Sequence, residues 1–519
     1  MHDIESRILG FCWQQNPDMA LEIGFIPSSL WEKAGQKDAL GEAAQLLAEA
    51  ERSELSLPEK LAASHHLDCA AYLSEMPAIS RLNHMTGPAS RLSWASHSWP
   101  AAADPLGELY VESLREFPSY CSDLIRSIDD QGASYACQSV LETFIDQVAA
   151  ITDNGSGQEM LLLPLQEARV SMDAVRVPSA DVAENVLSSL QRLSDAASKA
   201  LGSAHASSPL ARVPDGGLRY SQAIRFGTSL AVSPDSVESL GLRLLDKTEH
   251  RFRELLVAGA GGTQAPPDGT ELFRRFEATY ERLHGQLPAV VSSLPKMQCK
   301  VVPMPPANAA VGPPAYYGPS SSRNNRKGAL YVNTEEPSAT KSWEILPLAM
   351  HEGVPGHHLQ LALLDENEQV GALNRWLSVN AFTEGWAVYA ETLAPAMQVG
   401  TSPEEEFGLL SHQRWRAARL VVEAGLHVHG WSVAEATAFV VKNSSQDETA
   451  ARREVVRYLA WPGQALGYAV GSQAISRWVK KRRESGESLK SAHGELLGMG
   501  SIPLSVLVPQ AGVEDFLQV

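Results

Sequence analysis

The sequence predicts a mostly α-helical protein with one small β element just ahead of a histidine-rich motif. Two observations lead there. Long stretches place apolar residues at helical spacing, while strand-like character is confined to residues 301–337. The ten residues from His351 to Gln360 then gather three histidines, one glutamate and a Pro-Gly pair.

Residues 1–200 read mostly as helix. Ala39 to Ser56 and Pro58 to Leu73 are rich in Ala, Leu and Glu at helical spacing. Pro58 suits a first helical position, where its missing N–H has no partner to lose. Arg81 to Pro105 is expected to be irregular. Its His84, Trp94, His97 and Trp99 fall among Gly, Ser and Pro, and either line a cleft or pack between helices. Residues 203–218 form a small-residue loop. One helix is expected from about Val237 to Val257. Another begins after Asp268-Gly269, with Leu272, Phe276, Tyr280 and Leu283 on one face as a core stripe. Val301–Pro305 and Ala329–Asn333 read as two short strands. Between them lies a Pro/Gly/Ser-rich segment holding Tyr316-Tyr317-Gly318. Helix then dominates from Ser342 to about Val479. No repeat with a period of 20–50 residues is evident.

The chain has 519 residues, 44 % apolar and 20 % charged, with a formal net charge of -18. That is an ordinary globular composition, long enough for a large core. The acidic balance argues against a general nucleic-acid or anionic-membrane binder. The run Lys480-Lys481-Arg482-Arg483 reads as a solvated helix face. Five cysteines (Cys12, Cys69, Cys121, Cys137, Cys299) lack metal-type spacing and fit free thiols in a reducing compartment. The first residues lack a basic-then-apolar leader, and no stretch reaches the 18 or so apolar residues that span a bilayer. The expectation is a cytoplasmic protein with neither a membrane nor a nucleic-acid partner.

The motif opens His351-Glu352, as does the zinc-binding pattern H-E-x-x-H, but its fifth position is Pro355. In an unbroken helix His351 and His357 would lie about 9 Å apart along the axis and point about 120° apart. Joint ligation therefore needs a break between them. Pro355 supplies one, since it cannot donate to the His351 carbonyl and its ring clashes there. Gly356 can absorb the resulting bulge. His357 thereby returns to the place of the second histidine, with His358 as the competing candidate. Glu352 would be the general base, taking a proton from a water activated by Zn²⁺. A third ligand is needed, and zinc hydrolases commonly use a carboxylate. Glu384 stands 27 residues beyond His357, on a helix expected around Phe382–Glu391. That is room for a return turn, and Gly385 would permit close helix approach. Glu391, seven residues on, is either an acceptor for a ligand histidine or a surface charge.

Four segments together resemble the domain-of-unknown-function 885 (DUF885) family. They are His351-Glu-Gly-Val-Pro-Gly-His-His-Leu-Gln360, Thr383-Glu-Gly-Trp-Ala-Val-Tyr-Ala-Glu391, Arg419-Leu-Val-Val-Glu-Ala-Gly-Leu-His427 and Trp461-Pro-Gly-Gln-Ala-Leu-Gly-Tyr468. The strand Leu330–Thr334 and the ending Gly500–Leu504 resemble it too. The match is strong over about 300–510 and looser before. Members are similar to helical zinc peptidases of the angiotensin-converting-enzyme and carboxypeptidase Taq type. The resemblance implies a large two-lobed helical zinc-peptidase-like fold with a central channel, residues 1–519 forming one peptidase-like domain. Residues 1–300 would be a helical N-terminal lobe and 301–519 a metal-binding catalytic lobe. It implies Zn²⁺ held by His351, His357 and Glu384, with Glu352 as base. The segment Glu454–Tyr468 is similar to the arginine–tyrosine pair of those peptidases, which assigns Tyr458 to the oxyanion, Arg457 to electrostatic support and Tyr468 to reserve. Their histidine ten residues earlier is replaced here by Glu448, leaving His427 and His429 to help.

Substrate contacts are expected from Arg419, which would take a carboxylate, and from His427. Alternatively Arg419, Glu423 and His427 pair along one helix. Leu330–Thr334 is either an edge strand presenting Tyr331 and Asn333 to an extended substrate or a structural hairpin. The function expected is zinc-dependent hydrolysis of short peptides. The alternatives are a tailoring hydrolase acting on a small non-peptide amide or modified amino acid, and a non-catalytic metal-stabilised binding protein.

Overall fold

The computed structural model describes residues 3–510 apart from 18–19, 21–29, 32–38, 100–105, 153–155, 168–179, 263, 306–308, 310–312 and 323–325. The described chain is mostly helix with one small sheet, as expected. The helix Pro234–Val257 starts on Ser233, whose side chain accepts from the Ser236 N–H. Gly269–Gln286 starts on Asp268, which accepts from the Glu271 N–H at 2.8 Å. Such caps satisfy N–H groups that lack a partner inside the helix. Leu272, Phe276, Tyr280 and Leu283 are all buried, each burial stabilising the fold by roughly 1.5–3 kcal/mol.

The long helix Pro403–His427 begins on a Ser402 cap and is buried on most of its circumference from Phe407 onward. A helix apolar all round belongs inside a large protein. This one also carries buried Arg414, Arg416 and Arg419, so their charges must be met locally. Gly241 lets the Pro234–Val257 helix approach it, since a Cβ there would lie 2.8 Å from the Ala417 carbonyl oxygen.

The sheet has three strands: β1 (Cys299–Pro303), β2 (Ala315–Gly318) and β3 (Gly328–Val332), in the order β1-β3-β2. β3 runs parallel to β1 and antiparallel to β2. Two expectations change here. The Tyr316–Gly318 stretch is a strand rather than loop. β3 is central, with both sides paired, so it cannot serve as a free edge; β2 is the edge nearest the motif.

The expected irregular stretch from Arg81 is also corrected. Pro88–Ser98 is a helix begun by Gly87 and Pro88, with Trp99 buried against Tyr110. Residues 100–105 and the His97 side chain lie outside the described residues. The apolar packing does not divide at residue 300. The largest cluster joins Tyr220–Val291 side chains to others from Ala315 to Leu507. A separate cluster unites helices between Ala78 and Ala200. No helix among the described residues is long and apolar enough to cross a membrane.

Candidate metal centre

The chain leaves α-helix before it reaches Pro355. Ile345–Leu348 is α-helical, Ala349–Gly353 widens into a π-helical turn, and a new helix starts at His357. The Val354–Pro355 peptide is cis. Gly356 is required by space, because a Cβ there would sit 2.0 Å from the His351 carbonyl oxygen. Trp386 Nε1–H donates to the Pro355 carbonyl at 2.9 Å and ties the turn to the Asn380–Glu391 helix. The expected break is therefore present. It swings His357 toward His351, with ring centroids 4.8 Å apart and planes at 83°.

Glu384 meets both histidines. Its Oε2 lies 3.4 Å from His351 Nε2 and 3.5 Å from His357 Nε2. These three residues form the one cluster of potential metal-ligating side chains found among the described residues, with ligand atoms all within 4.8 Å of one another. His358 stands apart. It is buried, its Nδ1 lies 3.0 Å from the Tyr317 hydroxyl, and burial pushes its pKa down to about 4.

Glu384 is placed by glycines. A Cβ on Gly385 would lie 2.5 Å from the Gly471 carbonyl carbon, and one on Gly471 1.8 Å from the Ala381 oxygen. The Asn380–Glu391 and Leu466–Glu484 helices thus cross at van der Waals contact of their backbones. That crossing also carries Tyr468 to the site, where its ring stacks on His351 at 6.2 Å and 14°.

His351 is held from behind. Its Nδ1–H donates to Glu391 Oε1 at 2.8 Å, and the same oxygen accepts from Arg416 at 3.0 Å. Glu391 is 1 % exposed and Arg416 4 %. This carboxylate fixes the tautomer that leaves Nε2 free to ligate. Burial opposes charge on His351, but the bonds to Glu384 and Glu391 outweigh it and raise its pKa to about 9 in the metal-free chain. Burial also works against the Glu384 carboxylate, yet the two histidines hold its pKa well below the ordinary range. Arg416 gives no local sequence signal beyond being an arginine in an apolar helix.

Glu352 is half-buried, and its Oε2 accepts the Tyr317 N–H of β2 at 3.0 Å. Tyr317 therefore braces the motif twice, through its backbone and through its hydroxyl on His358.

The remaining expected site residues separate. Tyr458 is fully buried. Its hydroxyl donates to Glu454 at 2.9 Å and accepts from Arg419 Nε at 3.1 Å, so it is committed inside the fold rather than turned to a reacting oxygen. Arg457 grips both oxygens of Glu454, at 3.1 and 2.9 Å. Arg419 also donates to Glu454 at 3.1 Å and lies between the rings of Trp415 and Tyr468, at 4.3 and 4.4 Å. Its partner is thus Glu454 rather than Glu423, and the pairing expected along the helix is met by His427, whose Nε2 lies 3.4 Å from Glu423 Oε2. His427 is buried, with Ser208 at 2.7 Å and the Tyr458 carbonyl at 3.2 Å, and is structural. His429 pairs with Glu238 at 3.0 Å, well outside this network. Tyr331 stacks on Tyr316 at 4.7 Å. Asn333 is 4 % exposed and donates to the Ala309 carbonyl, so it is bonded inside the fold instead of facing substrate.

A family model described as "Bacterial protein of unknown function (DUF885)" matches residues 17–510. The chain belongs to the DUF885 family. Two solved structures resemble this DUF885 protein along nearly its whole length. One, "the putative lipoprotein from Colwellia psychrerythraea", is 21 % identical, covers 98 % of both chains and superposes with a TM-score of 0.85. The other, "a putative lipoprotein of unknown function from Shewanella oneidensis", is 16 % identical and covers 97 % of this chain and 98 % of its own, with a TM-score of 0.66. At such identities the likeness is one of fold. No curated protein matches the chain.

Proposed function

We propose that this DUF885 protein is a zinc-dependent hydrolase that cleaves amide bonds in short peptides. The observation that carries the reading is the meeting of His351, His357 and Glu384 beside Glu352. The donor set suits the ion. In a tetrahedral site with ligands about 2.0–2.1 Å from zinc, neighbouring ligand atoms lie about 3.3–3.4 Å apart, close to the 3.4 and 3.5 Å separations from Glu384 to the two imidazoles. Glu384 Oε2 is buried and makes no hydrogen bond of normal length to a protein donor. Two neutral imidazoles and one carboxylate form a catalytic rather than a structural set, because a fourth position stays open.

Bound there, zinc supplies Lewis-acid polarisation of a carbonyl and lowers the pKa of a coordinated water. The protein's own groups do the rest. Glu352 accepts the proton of the attacking water and returns it to the leaving amine. The Tyr317 N–H holds one of its oxygens while the other stays available. Glu391 and Arg416 keep His351 oriented. Tyr468, whose ring stacks on His351, takes the oxyanion role in this reading in place of the internally bonded Tyr458. The resemblance to helical zinc peptidases supports the roles given to the triad and to Glu352.

The five cysteines, all free, favour a cytoplasmic location for this chain. The lipoprotein descriptions of its two structural relatives favour an envelope one, and cell fractionation separates the two. The activity is tested with Glu352→Gln. The variant is expected to keep one zinc and lose turnover of a short-peptide library by 10²-fold or more, in line with a general base. Undiminished turnover rules out Glu352 as base.

A further inference from the structure

The helix His357–Glu366 begins at a metal ligand and grips the sheet and its flanking turns with polar side chains at both ends. At its far end Asp365 accepts the Ser322 N–H, just beyond β2, at 2.5 Å. Glu366 accepts the N–H groups of Lys296 and Met297, just before β1, at 3.0 and 2.8 Å. At its near end stands His358, 2 % exposed, with Nδ1 3.0 Å from the Tyr317 hydroxyl of β2. The ring also bonds the Met297 backbone. The Met297 N–H is already given to Glu366, so that bond runs to the carbonyl and the ring donates. A neutral imidazole has one donor and one acceptor. Nδ1 is therefore the acceptor, and the Tyr317 hydroxyl gives it its hydrogen.

The contact is built on both sides. The Tyr317 oxygen accepts the Ser320 N–H at 3.2 Å. Gly328 of β3 leaves the space, because a Cβ there would lie 2.7 Å from the Tyr317 hydroxyl and 3.1 Å from His358 Nδ1. β2 is an edge strand, paired with β3 along one side. Its other side meets the motif, where the Tyr317 N–H donates to Glu352 Oε2 at 3.0 Å. One residue of β2 thus joins the third histidine of the motif to its glutamate.

We infer that His358 is a positioning residue for Glu352: it anchors Tyr317, and Tyr317 fixes one oxygen of the carboxylate so that the other is aimed at the attacking water. The third histidine of the motif thereby has a task other than holding the metal. His357 and His358 are consecutive on one helix, so the metal ligand and the anchor of the base are set by the same element. A displacement of about 1 Å at a reacting group can cost on the order of 10²-fold in rate, which is the scale such an anchor protects. The inference rests on Glu352 being the base.

The test compares the full-length parent with His358→Leu, which keeps bulk but not the acceptor, with Tyr317→Phe, with the double variant, and with His358→Asn, whose side-chain oxygen can accept in place of Nδ1. Zinc-loaded, His358→Leu and Tyr317→Phe are each expected to lower kcat on a short-peptide library about 10–100-fold, with KM little changed and one zinc retained per chain. The double variant should lose no more than either single one, because both remove the same bond, and His358→Asn should recover most of the loss. Hydrogen exchange of the metal-free chains gives a readout apart from turnover. Residues 315–318 should exchange faster in His358→Leu and in Tyr317→Phe, while the Asn380–Glu391 helix keeps the parent's rate. Loss of zinc from His358→Leu would make His358 a ligand and overturn the inference. Parent-like exchange at 315–318, losses that multiply in the double variant, or a parent-like kcat in Tyr317→Phe would overturn it too. Faster exchange in both variants, with no turnover by the parent, keeps the hold of His358 on Glu352 and overturns the hydrolase reading instead.

Discussion

Replacing Glu391 by Gln tests how the ligand histidine is held. Glu391 Oε1 accepts two buried bonds, from His351 at 2.8 Å and from Arg416 at 3.0 Å. Gln keeps the shape but not the charge. Arg416 is then a cation inside the protein with no counter-ion, and breaking a buried pair from one side costs about 3–5 kcal/mol. Loss of a carboxylate behind a ligating histidine typically weakens metal binding about 10–100-fold. Urea denaturation of the metal-free protein reads the first effect, and competition with a zinc chelator reads the second. The double variant Glu391→Gln/Arg416→Met removes the stranded cation. It is expected to recover most of the stability while zinc binding stays weak, because His351 still lacks its carboxylate. A single variant within about 1 kcal/mol of the parent, far below the cost of a stranded buried charge, would refute the reasoning; so would an unchanged zinc affinity.

Three further outcomes are expected. Tyr468→Phe should lower kcat on the order of 10²-fold with little change in KM, whereas Tyr458→Phe should chiefly lower stability in urea; the reverse pattern returns the oxyanion role to Tyr458. Glu423→Gln should change the pH dependence of stability. The folded pKa of Glu423 is raised, to about 8, so its carboxyl favours the fold fully below its unfolded pKa, and that contribution drains as pH rises toward 8, on the order of 1.4 kcal/mol per pH unit. Urea midpoints of parent and variant should therefore diverge between about pH 5 and 8 in favour of the variant, and parallel curves would contradict a buried neutral acid. Gly385→Val should separate the two helices that carry Glu384 and Tyr468, because its Cβ meets the Gly471 backbone at 2.5 Å. A loss of at least about 1–3 kcal/mol is expected from such overpacking, and a parent-like melting curve argues against the crossing.

The helices were legible because their apolar spacing survives burial, as Leu272, Phe276, Tyr280 and Leu283 illustrate. The approach of His357 to His351 was legible because Pro355 and Gly356 break the helix between them, although His358 competed for the place. Four things were not. β2 hides in a Pro/Gly/Ser-rich segment, since two tyrosines and a glycine carry little strand signal until β3 pairs with them. The Tyr317 bond to Glu352 comes from the backbone, which no side-chain pattern records. Tyr458 and Tyr468 look interchangeable in sequence, but the turn at Trp461–Ala465 puts them on different helices. One then faces inward to Glu454 and the other faces His351. The Pro88–Ser98 helix was obscured by its own Gly, Ser and Pro content, though Gly87-Pro88 is an acceptable helix start.

The triad is tested most directly by zinc stoichiometry in the unmodified protein and in Glu384→Ala, measured by elemental analysis after dialysis against a weak chelator. One zinc per chain is expected in the first, and almost none in the second at an unchanged fold by circular dichroism. A full equivalent retained without Glu384, or none bound with it, contradicts the metal centre.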